Sequence, residues 1–210
     1  MKPVVHVVDD DSSFLRSVSR LLRASGFEVS TYPSVEDFLR REDSSSPGCV
    51  LTDLQMPRQS GLDLQQALAR SKNPLPVVFL TSKGDIPTSV RAMRGGAEDF
   101  LTKRAPKVQL IEAIERALRR DRSDRSQREA KAAAQAKIEA LGERERQVLA
   151  GVLRGLLNKQ IADELGIAER TVKHHRTGLT LKLGVQSGAE LARLAALAGV
   201  SEAATSTGPA

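Results

Sequence analysis

Short apolar runs alternate with amphipathic segments along the first half of the chain. Runs of three to five residues that contain apolar or β-branched side chains, bounded by polar or turn residues, predict β-strands. The runs Val4–Val8 and Val77–Leu80 are almost continuously apolar, which favours strands near the centre of a sheet that is covered on both faces. The five predicted strands are Val4–Val8, Glu28–Thr31, Val50–Asp53, Val77–Leu80 and Asp99–Leu101.

The segments between these strands carry apolar residues at helical spacing. In the first of them Phe14, Val18 and Leu22 fall on one face of a helix. Strand and helix alternate five times, which predicts an α/β fold with a doubly wound, five-stranded parallel sheet. The predicted helices are Ser12–Ala24, Val35–Arg40, Leu62–Ala69, Pro87–Arg94 and Val108–Arg119.

Glycine residues separate the helices that are predicted in the second half. Gly155 ends a first helix, and Gly166 makes a tight turn between the second and third. Asn158 stands at the N-cap position of the second, ahead of Lys159, and the third covers about Glu169 to Leu183. This pattern predicts an all-α helix-turn-helix domain, whose second helix would enter the DNA major groove, with a generic helical bundle as the alternative. The expected core residues are Ile161, Ala162, Leu165, Ile167 and Val172.

A connector joins the two predicted domains. Residues 119–137 lack Gly and Pro and are rich in Arg, Ala, Gln and Lys, which favours a long helix. Ser123, Asp124 and Ser126 weaken that pattern, so a mobile tether is the alternative. The small and polar residues 201–210 predict a disordered tail. We therefore expect an α/β domain over 1–120, a helical linker over 121–138 and an all-α domain over 139–200.

Charge and composition narrow the class of protein. The net charge is +6, and it is uneven: residues 1–103 are neutral, residues 104–140 carry +4 and residues 141–210 carry +2. A polyanion partner for the second half is one interpretation and a solvated basic linker is the other. The sequence predicts neither a membrane span nor a signal peptide. The one cysteine, Cys49, lies in an apolar run and is expected to be a buried, inert thiol in a reducing cytoplasm.

Acidic and basic side chains follow the predicted strands at the points where they end. Asp9 and Asp10 follow the first strand, Asp53 ends the third, and Lys103 follows the fifth. Carboxyl ends of parallel strands meet at one edge of a sheet, where the carboxylates would repel one another. A hard cation such as Mg²⁺ relieves that repulsion, and an aspartate in such a site can accept a phosphoryl group.

Each of these residues also has an ordinary structural interpretation. Asp11 has the position of an N-cap for the helix that follows it, Lys103 is equally consistent with a solvated surface lysine, and Thr81 with a turn residue. No Gly-rich phosphate loop is present, which argues against a dinucleotide-dependent dehydrogenase or a P-loop enzyme. Because these residues occur together at the ends of successive predicted strands, an acidic site is favoured over the ordinary structural interpretation of each residue.

This arrangement resembles the CheY-like receiver domain of two-component signalling over about residues 3–119, which implies a flavodoxin-like fold. Thr81–Pro87 and Ala92–Ala97 look like the FixJ branch of response regulators. The resemblance implies that a histidine kinase phosphorylates Asp53, with Lys103 and Thr81 contacting the phosphate and Phe100 acting as the aromatic switch residue. It also implies Mg²⁺ as the cofactor. The implied ligands are Asp9, Asp10, Asp53 and the backbone of Gln55, with Asp10 the preferred direct ligand.

One residue departs from the receiver pattern. Receivers normally have proline after the active-site lysine, often with a cis peptide bond, whereas Arg104 follows Lys103 here. A non-proline cis bond costs about 2.5–4 kcal/mol, so we expect a trans bond at this position. The departure raises the alternative of a regulator whose receiver no longer depends on phosphate.

The second half resembles the LuxR-type helix-turn-helix domain of the same class of regulators. The match rests on Arg144-Glu145, Asn158–Ala162, Thr171–Lys173, His175 and Lys182-Leu183. It implies that Lys173, His174 and Thr177 face base edges, and that the last helix, Ser187–Gly199, carries a dimer surface. His175 is expected to be structural rather than a metal ligand. Residues expected at or near phosphates are Asn158, Lys159, Arg170, Thr171 and Lys182.

Together these features predict a DNA-binding transcriptional regulator of the FixJ/NarL type that is controlled by phosphorylation. Its expected partners are a sensor histidine kinase, double-stranded promoter DNA, RNA polymerase and, on activation, a second copy of the chain; no membrane partner is expected. The chain would not be an enzyme beyond assisting its own phosphorylation and dephosphorylation. A phosphate-independent DNA-binding regulator and a phosphotransfer or phosphate-sink protein remain as alternatives.

Overall fold

A computed structural model describes residues 2–41, 46–82 and 86–200. The chain divides into two compact units, Met1–Arg125 and Ser126–Ala210. Each unit has its own buried apolar core. The tail at 201–210, which the sequence predicts to be disordered, lies outside the described residues.

The first unit is built on a five-stranded parallel sheet. The strand order is β2-β1-β3-β4-β5, and every neighbouring pair is parallel, so the predicted fold class is confirmed. The apolar strands β1 and β4 flank the central strand β3. The bounds are β1 Val4–Val8, β2 Glu28–Tyr32, β3 Gly48–Asp53, β4 Val77–Thr81 and β5 Asp99–Thr102.

Helices cover both faces of this sheet because successive strand side chains point to opposite sides. Val5, Val7 and Leu51 lie in a core with the helices on one face, whereas Val50 and Phe79 lie in a second core with the helices on the other face. Asp53 and Thr81 are therefore delivered at the ends of buried strands. The helices of this unit are α1 Ser12–Ala24, α2 Val35–Leu39, α3 Gly61–Ala69 and α4 Ile86–Arg94, together with the start of α5.

The connector is helical in the structure. Helix α5 covers Lys107–Glu139, so the residues for which the sequence allowed a helix or a tether belong to one helix. Buried Asp121 on this helix accepts a hydrogen bond from the backbone N–H of Gly48, at 2.9 Å, and thereby binds the first residue of β3. Gly48 has no room for a side chain, because a Cβ atom there would lie 2.1 Å from the carbonyl oxygen of Val4.

The second unit is helical and includes the predicted helix-turn-helix. Its core contains Ile161, Ala162 and Val172, and Leu165 and Ile167 pack against them as expected. Gly166 ends α7 in the left-handed conformation, with φ of 64°. The helices are α6 Glu143–Leu153, α7 Asn158–Leu165, α8 Glu169–Leu183 and α9 Gly188–Ala198.

The N-cap that the sequence predicts for α7 is wrong by one residue. Leu157 has the extended conformation of an N-cap, and Asn158 is the first residue of the helix. The backbone N–H of Leu157 donates to the side chain of Gln160, at 2.8 Å, which satisfies one of the free donors at the helix start. The Asn158 side chain instead accepts a hydrogen bond from Arg176 on α8, at 2.6 Å.

Candidate functional site

Three carboxylates meet at the carboxyl edge of the sheet. Asp9 and Asp10 follow β1, and Asp53 is the last residue of β3. One oxygen atom from each of the three carboxylates lies within 4.8 Å of the others. Asp9 is only 1% exposed and Asp53 is also buried, whereas Asp10 is open to solvent. The structure thus brings together the acidic residues that the strand ends predict.

Lys103 joins this cluster from the end of β5. Its Nζ atom lies 2.6 Å from Oδ2 of Asp9 and 2.7 Å from Oδ2 of Asp53, so one ammonium group bridges two buried carboxylates. The backbone N–H of Lys103 donates to the carbonyl of Thr81, which extends the strand pairing and fixes the lysine beside Asp53. Lys103 is therefore not a solvated surface lysine.

Burial and ion pairing have opposite effects on the pKa values of Asp9 and Lys103. Burial raises the pKa of Asp9, and the hydrogen bond from Lys103 opposes that rise without cancelling it. Burial by itself would lower the pKa of Lys103, but its hydrogen bonds to Asp53 and Asp9 outweigh burial and raise the pKa above its ordinary value. The ammonium is therefore firmly charged, and it compensates two acidic groups that water hardly reaches.

Asp11 caps helix α1, as its structural interpretation expects. Its side chain accepts hydrogen bonds from the backbone N–H groups of Ser13 and Phe14, and these bonds lower its pKa. Its own backbone N–H donates to Oδ1 of Asp9, at 2.9 Å, which orients the Asp9 carboxylate. Of the three consecutive aspartates, two belong to the acidic cluster and the third holds the helix that follows.

Thr81 and Phe100 lie beside the cluster on neighbouring strands. Thr81 is the buried last residue of β4, one strand from Asp53. The ring of Phe100 is partly buried and packs against Phe79, with the ring centroids 6.1 Å apart. Register pairs Phe79 with Phe100 and Thr81 with Thr102, so Thr81 and Phe100 lie on the same side of the sheet. Residues 83–85, which follow Thr81, lie outside the described residues.

The chemistry of the cluster fits a hard divalent cation. Mg²⁺ takes oxygen ligands and keeps several waters, and here two buried carboxylates adjoin one that faces solvent. The backbone N–H of Gln55 donates to Oδ1 of Asp53, at 3.3 Å, which keeps the Gln55 backbone next to the phosphoacceptor candidate. Among the described residues this is the one group of three side chains with that ligand geometry.

The loop after Lys103 accommodates the departure from the receiver pattern. No peptide bond among the described residues is cis, so the Lys103–Arg104 bond is trans, as expected. The Arg104 side chain is exposed, and Lys103 nevertheless reaches both carboxylates. The missing proline therefore leaves the bridging position of Lys103 intact in this state.

Helix α8 presents the predicted base-reading residues to solvent. Lys173, His174 and Thr177 are exposed, as are Arg170 and Thr171 near its start, whereas Val172, Leu179 and Leu183 are buried in the domain core. Lys159 at the start of α7 is exposed as well. The half-buried His175 lies on the inner side, beside Glu145. One face of α8 is thus buried in the domain core and the opposite face is exposed, where Lys173 pairs with the exposed Glu169 one turn earlier, with Nζ 3.2 Å from Oε1.

Two residues predicted to contact DNA are engaged inside the domain. The Asn158 side chain binds Arg176, and the Nζ atom of Lys182 lies 2.7 Å from Oε2 of Glu145. Sequence reasoning missed Arg176 because no pattern marks a single arginine on a helix as the partner of a residue 18 positions away. Glu145 was noted only as part of a motif.

Comparison with known families decides the class of this chain. The response regulator receiver domain family matches residues 5–115, and the luxR family of bacterial regulatory proteins matches residues 139–195. The chain is a two-component response regulator with a LuxR-type DNA-binding domain. Membership of both families makes it a FixJ-like transcriptional regulator, with a histidine kinase and DNA as partner classes, rather than a phosphotransfer protein without DNA.

Curated relatives match the response regulator along nearly its whole length. It is 39% identical to the response regulator protein TmoT of Ectopseudomonas mendocina over 191 residues, which are 91% of this chain and 87% of TmoT. It is also 39% identical to the transcriptional regulatory protein FixJ of Azorhizobium caulinodans over 203 residues, which are 97% of this chain and 96% of that FixJ.

Solved structures agree with this assignment. The response regulator StyR superposes with a TM-score of 0.83 at 45% identity, covering 93% of this chain and 99% of StyR. Full-length FixJ from B. japonicum gives a TM-score of 0.57 at 35% identity, covering 96% and 99% of the two chains. The helices of the response regulator in the described ranges include none that is long and apolar enough to cross a bilayer.

Proposed function

We propose that Asp53 is the residue through which this regulator is controlled, as the acceptor of a phosphoryl group from a histidine kinase. The observation that carries the proposal is the Lys103 ammonium, which bridges the Asp9 and Asp53 carboxylates at 2.6 and 2.7 Å. A buried carboxylate beside a fixed cation is suited to accept and hold an anionic group. The membership of the receiver family supports the same assignment.

In the transfer step a carboxylate oxygen of Asp53 attacks the phosphorus of a phosphohistidine. The new O–P bond forms as the N–P bond breaks, and the imidazole leaves with its electron pair. Before the transfer the Lys103 ammonium contacts a carboxylate oxygen of Asp53. After the transfer it would pair with an oxygen of the phosphoryl group instead. Its charge then offsets the added negative charge.

The ligands that would hold Mg²⁺ in this site are Asp9, Asp10, Asp53 and the backbone carbonyl of Gln55. When bound, the ion supplies positive charge that neutralises the phosphoryl oxygens. Asp9 is oriented by the N–H of Asp11, and Asp10 is the solvent-facing member of the cluster, which makes it the preferred direct ligand.

The switch would read the phosphate through Thr81 and Phe100. The hydroxyl of Thr81, one strand from Asp53, would donate to a phosphoryl oxygen, and the Phe100 ring would turn further inward behind it. This change at β4, β5 and α4 would favour a homodimer on two DNA half-sites, which then alters transcription by RNA polymerase. A phosphate-independent receiver is the second candidate, favoured only by Arg104 in place of the usual proline.

The DNA contacts that we propose lie on the exposed face of α8 and at the start of α7. Lys173, His174 and Thr177 would meet base edges, and Lys159, Arg170 and Thr171 would meet phosphates. Asn158 and Lys182 are left out of this set because their side chains already bind Arg176 and Glu145. The working division is a receiver over 1–120, a linker over 121–138 and a DNA-binding domain over 139–200, acting on promoter DNA in the cytoplasm.

Phosphorylation of the full chain tests the proposal directly. The protein is incubated with acetyl phosphate and Mg²⁺, and its intact mass is measured; we expect the mass of one added phosphoryl group, none in Asp53→Asn and none when the metal is chelated. The matched control Asp163→Asn changes an exposed carboxylate on α7 and should label like wild type. Equal labelling of Asp53→Asn, or no labelling of wild type, would contradict the proposal.

A further inference from the structure

Glu145 is a nearly buried carboxylate that joins two helices of the DNA-binding domain. It lies in the first turn of α6 and accepts a hydrogen bond from the backbone N–H of Gly142, at 2.8 Å. The same oxygen, Oε2, lies 2.7 Å from Nζ of Lys182, near the end of α8. The hydrogen bond from Lys182 is the main cause that holds the pKa of Glu145 below its usual range.

The backbone of α8 approaches Glu145 closely, one turn before Lys182. A Cβ atom at Gly178 would lie 3.3 Å from Oε1 of Glu145, so the carboxylate occupies the space that a side chain would need. Lys137 donates to the carbonyl of Leu183 at the end of the same helix, at 3.0 Å. The carboxyl-terminal half of α8 is thus held by polar contacts on its inner side.

We propose that Lys182 is a positioning residue for the recognition helix, which acts through Glu145 instead of binding a DNA phosphate. The Lys182 side chain is 53% exposed, but the Glu145 side chain that it contacts is only 12% exposed. If the ammonium moved to a phosphate, it would leave that carboxylate without its cation, which is costly at a site with little water. Retaining the pair keeps α8 in register with α6, and hence Lys173 and Thr177 at their places on the exposed face.

The inference rests on the DNA-binding function. It predicts that replacing a lysine that neutralises a DNA phosphate and replacing Lys182 will have different effects on the salt dependence of DNA affinity. Each phosphate contact contributes about 0.9 to the slope of log affinity against log salt concentration, whereas a contact within the protein contributes nothing to it. Lys159 is the matched control because it is an exposed lysine of the same domain for which we propose a phosphate contact. The salt dependence of DNA affinity therefore distinguishes a lysine that positions the recognition helix from a lysine that contacts a phosphate.

The experiment compares full-length variants on one labelled duplex, selected from a random pool with the beryllofluoride-treated wild-type chain. Affinity is measured over a range of salt concentrations for Lys182→Met, Glu145→Gln, their double variant, Lys182→Arg and Lys159→Met. We expect Lys182→Met and Glu145→Gln each to weaken binding by about three- to tenfold with the wild-type slope. The double variant should be no weaker than either single one, and Lys182→Arg should recover most of the affinity.

Lys159→Met should instead reduce the slope by about 0.9 per bound protomer. A similar reduction of the slope in Lys182→Met would overturn the inference. Tighter binding with a steeper slope in Glu145→Gln would also overturn it, because Lys182, once released from Glu145, would then be contacting a phosphate. Circular dichroism melts accompany each variant. If Lys182→Met does not fold, the slopes of Lys182→Arg and Glu145→Gln decide the question, since the glutamine can still accept from Gly142. Failure of the wild type to bind DNA would count against the DNA-binding function itself.

Discussion

Replacing Lys103 by methionine removes the cation that bridges Asp9 and Asp53. Methionine keeps much of the aliphatic stem, so the substitution deletes charge and hydrogen bonds with little change in packing. Two buried carboxylates whose oxygens now lie 2.6 and 2.7 Å from an ammonium would then face each other without compensation. The expected result is a less stable receiver domain with a stronger demand for a metal ion.

The size of the loss follows from burial. Removing one partner from a buried ion pair costs about 3–5 kcal/mol, and the Lys103 side chain is 13% exposed, which points to the lower end, about 3 kcal/mol. For a domain of this size each kcal/mol corresponds to about 3–5 °C, so the melting temperature of the receiver should fall by about 10 °C. Because protonation of Asp9 relieves the repulsion, the loss should shrink as the pH falls towards the ordinary Asp pKa of 3.8.

Scanning calorimetry of the full chain, with and without Mg²⁺, measures both effects. Mg²⁺ should raise the melting temperature of Lys103→Met more than that of wild type, because the ammonium no longer competes for the same carboxylates. At about 100 times its dissociation constant a ligand adds about 2.7 kcal/mol, enough to recover most of the loss. Lys107→Met is the control, since Lys107 is an exposed lysine at the start of α5, and it should change neither stability nor metal response.

Two outcomes would refute this reasoning. If Lys103→Met melts at the wild-type temperature without metal, then the bridge does not compensate the carboxylates in solution. If Mg²⁺ stabilises wild type and variant equally, then the ammonium and the cation do not share ligands, and the acidic cluster is not the metal site.

Substitutions at three other positions test local features. Gly48→Ala should lower the free energy of unfolding by about 1–3 kcal/mol, since its Cβ would lie 2.1 Å from a carbonyl oxygen; unchanged urea denaturation would contradict this. Asp11→Ala should lower the melting temperature of the receiver, whereas Asp11→Asn, which still accepts from N–H groups, should retain most of it. Because the pKa of Glu145 is lowered in the folded protein, its negative charge stabilises the fold above pH 4.5. The difference in free energy of unfolding between wild type and Glu145→Gln should therefore decrease below that pH. A difference that stays constant with pH in urea titrations would exclude this linkage.

Sequence patterns predicted the elements that bring the acidic cluster together, because strand ends and apolar runs are local signals. Asp9, Asp10, Asp53 and Lys103 all stand at the ends of predicted strands, and the structure brings them to one edge. The pattern did not predict that one ammonium bridges both buried carboxylates. That arrangement depends on the register of β4 and β5, which no single strand encodes.

Contacts between distant residues escaped prediction for the same reason. Asp121 binds the N–H of Gly48, 73 positions earlier, and nothing local marks either residue as a partner. The sequence predicts Asn158 as the N-cap of α7, but Leu157 has that position and its N–H donates to Gln160, whereas the Asn158 side chain accepts from Arg176. In the connector, the high helix propensity of its Ala, Arg, Gln and Lys residues outweighed the serines that favoured a tether.

Control of DNA binding by a phosphate on Asp53 can be measured in the full-length chain. Affinity for the selected duplex is measured for full-length wild type and Asp53→Asn, each with and without beryllofluoride and Mg²⁺. We expect beryllofluoride to tighten binding by wild type only, with Asp53→Asn remaining at the untreated level. An equal response of Asp53→Asn, or tight binding by wild type that beryllofluoride leaves unchanged, would contradict it.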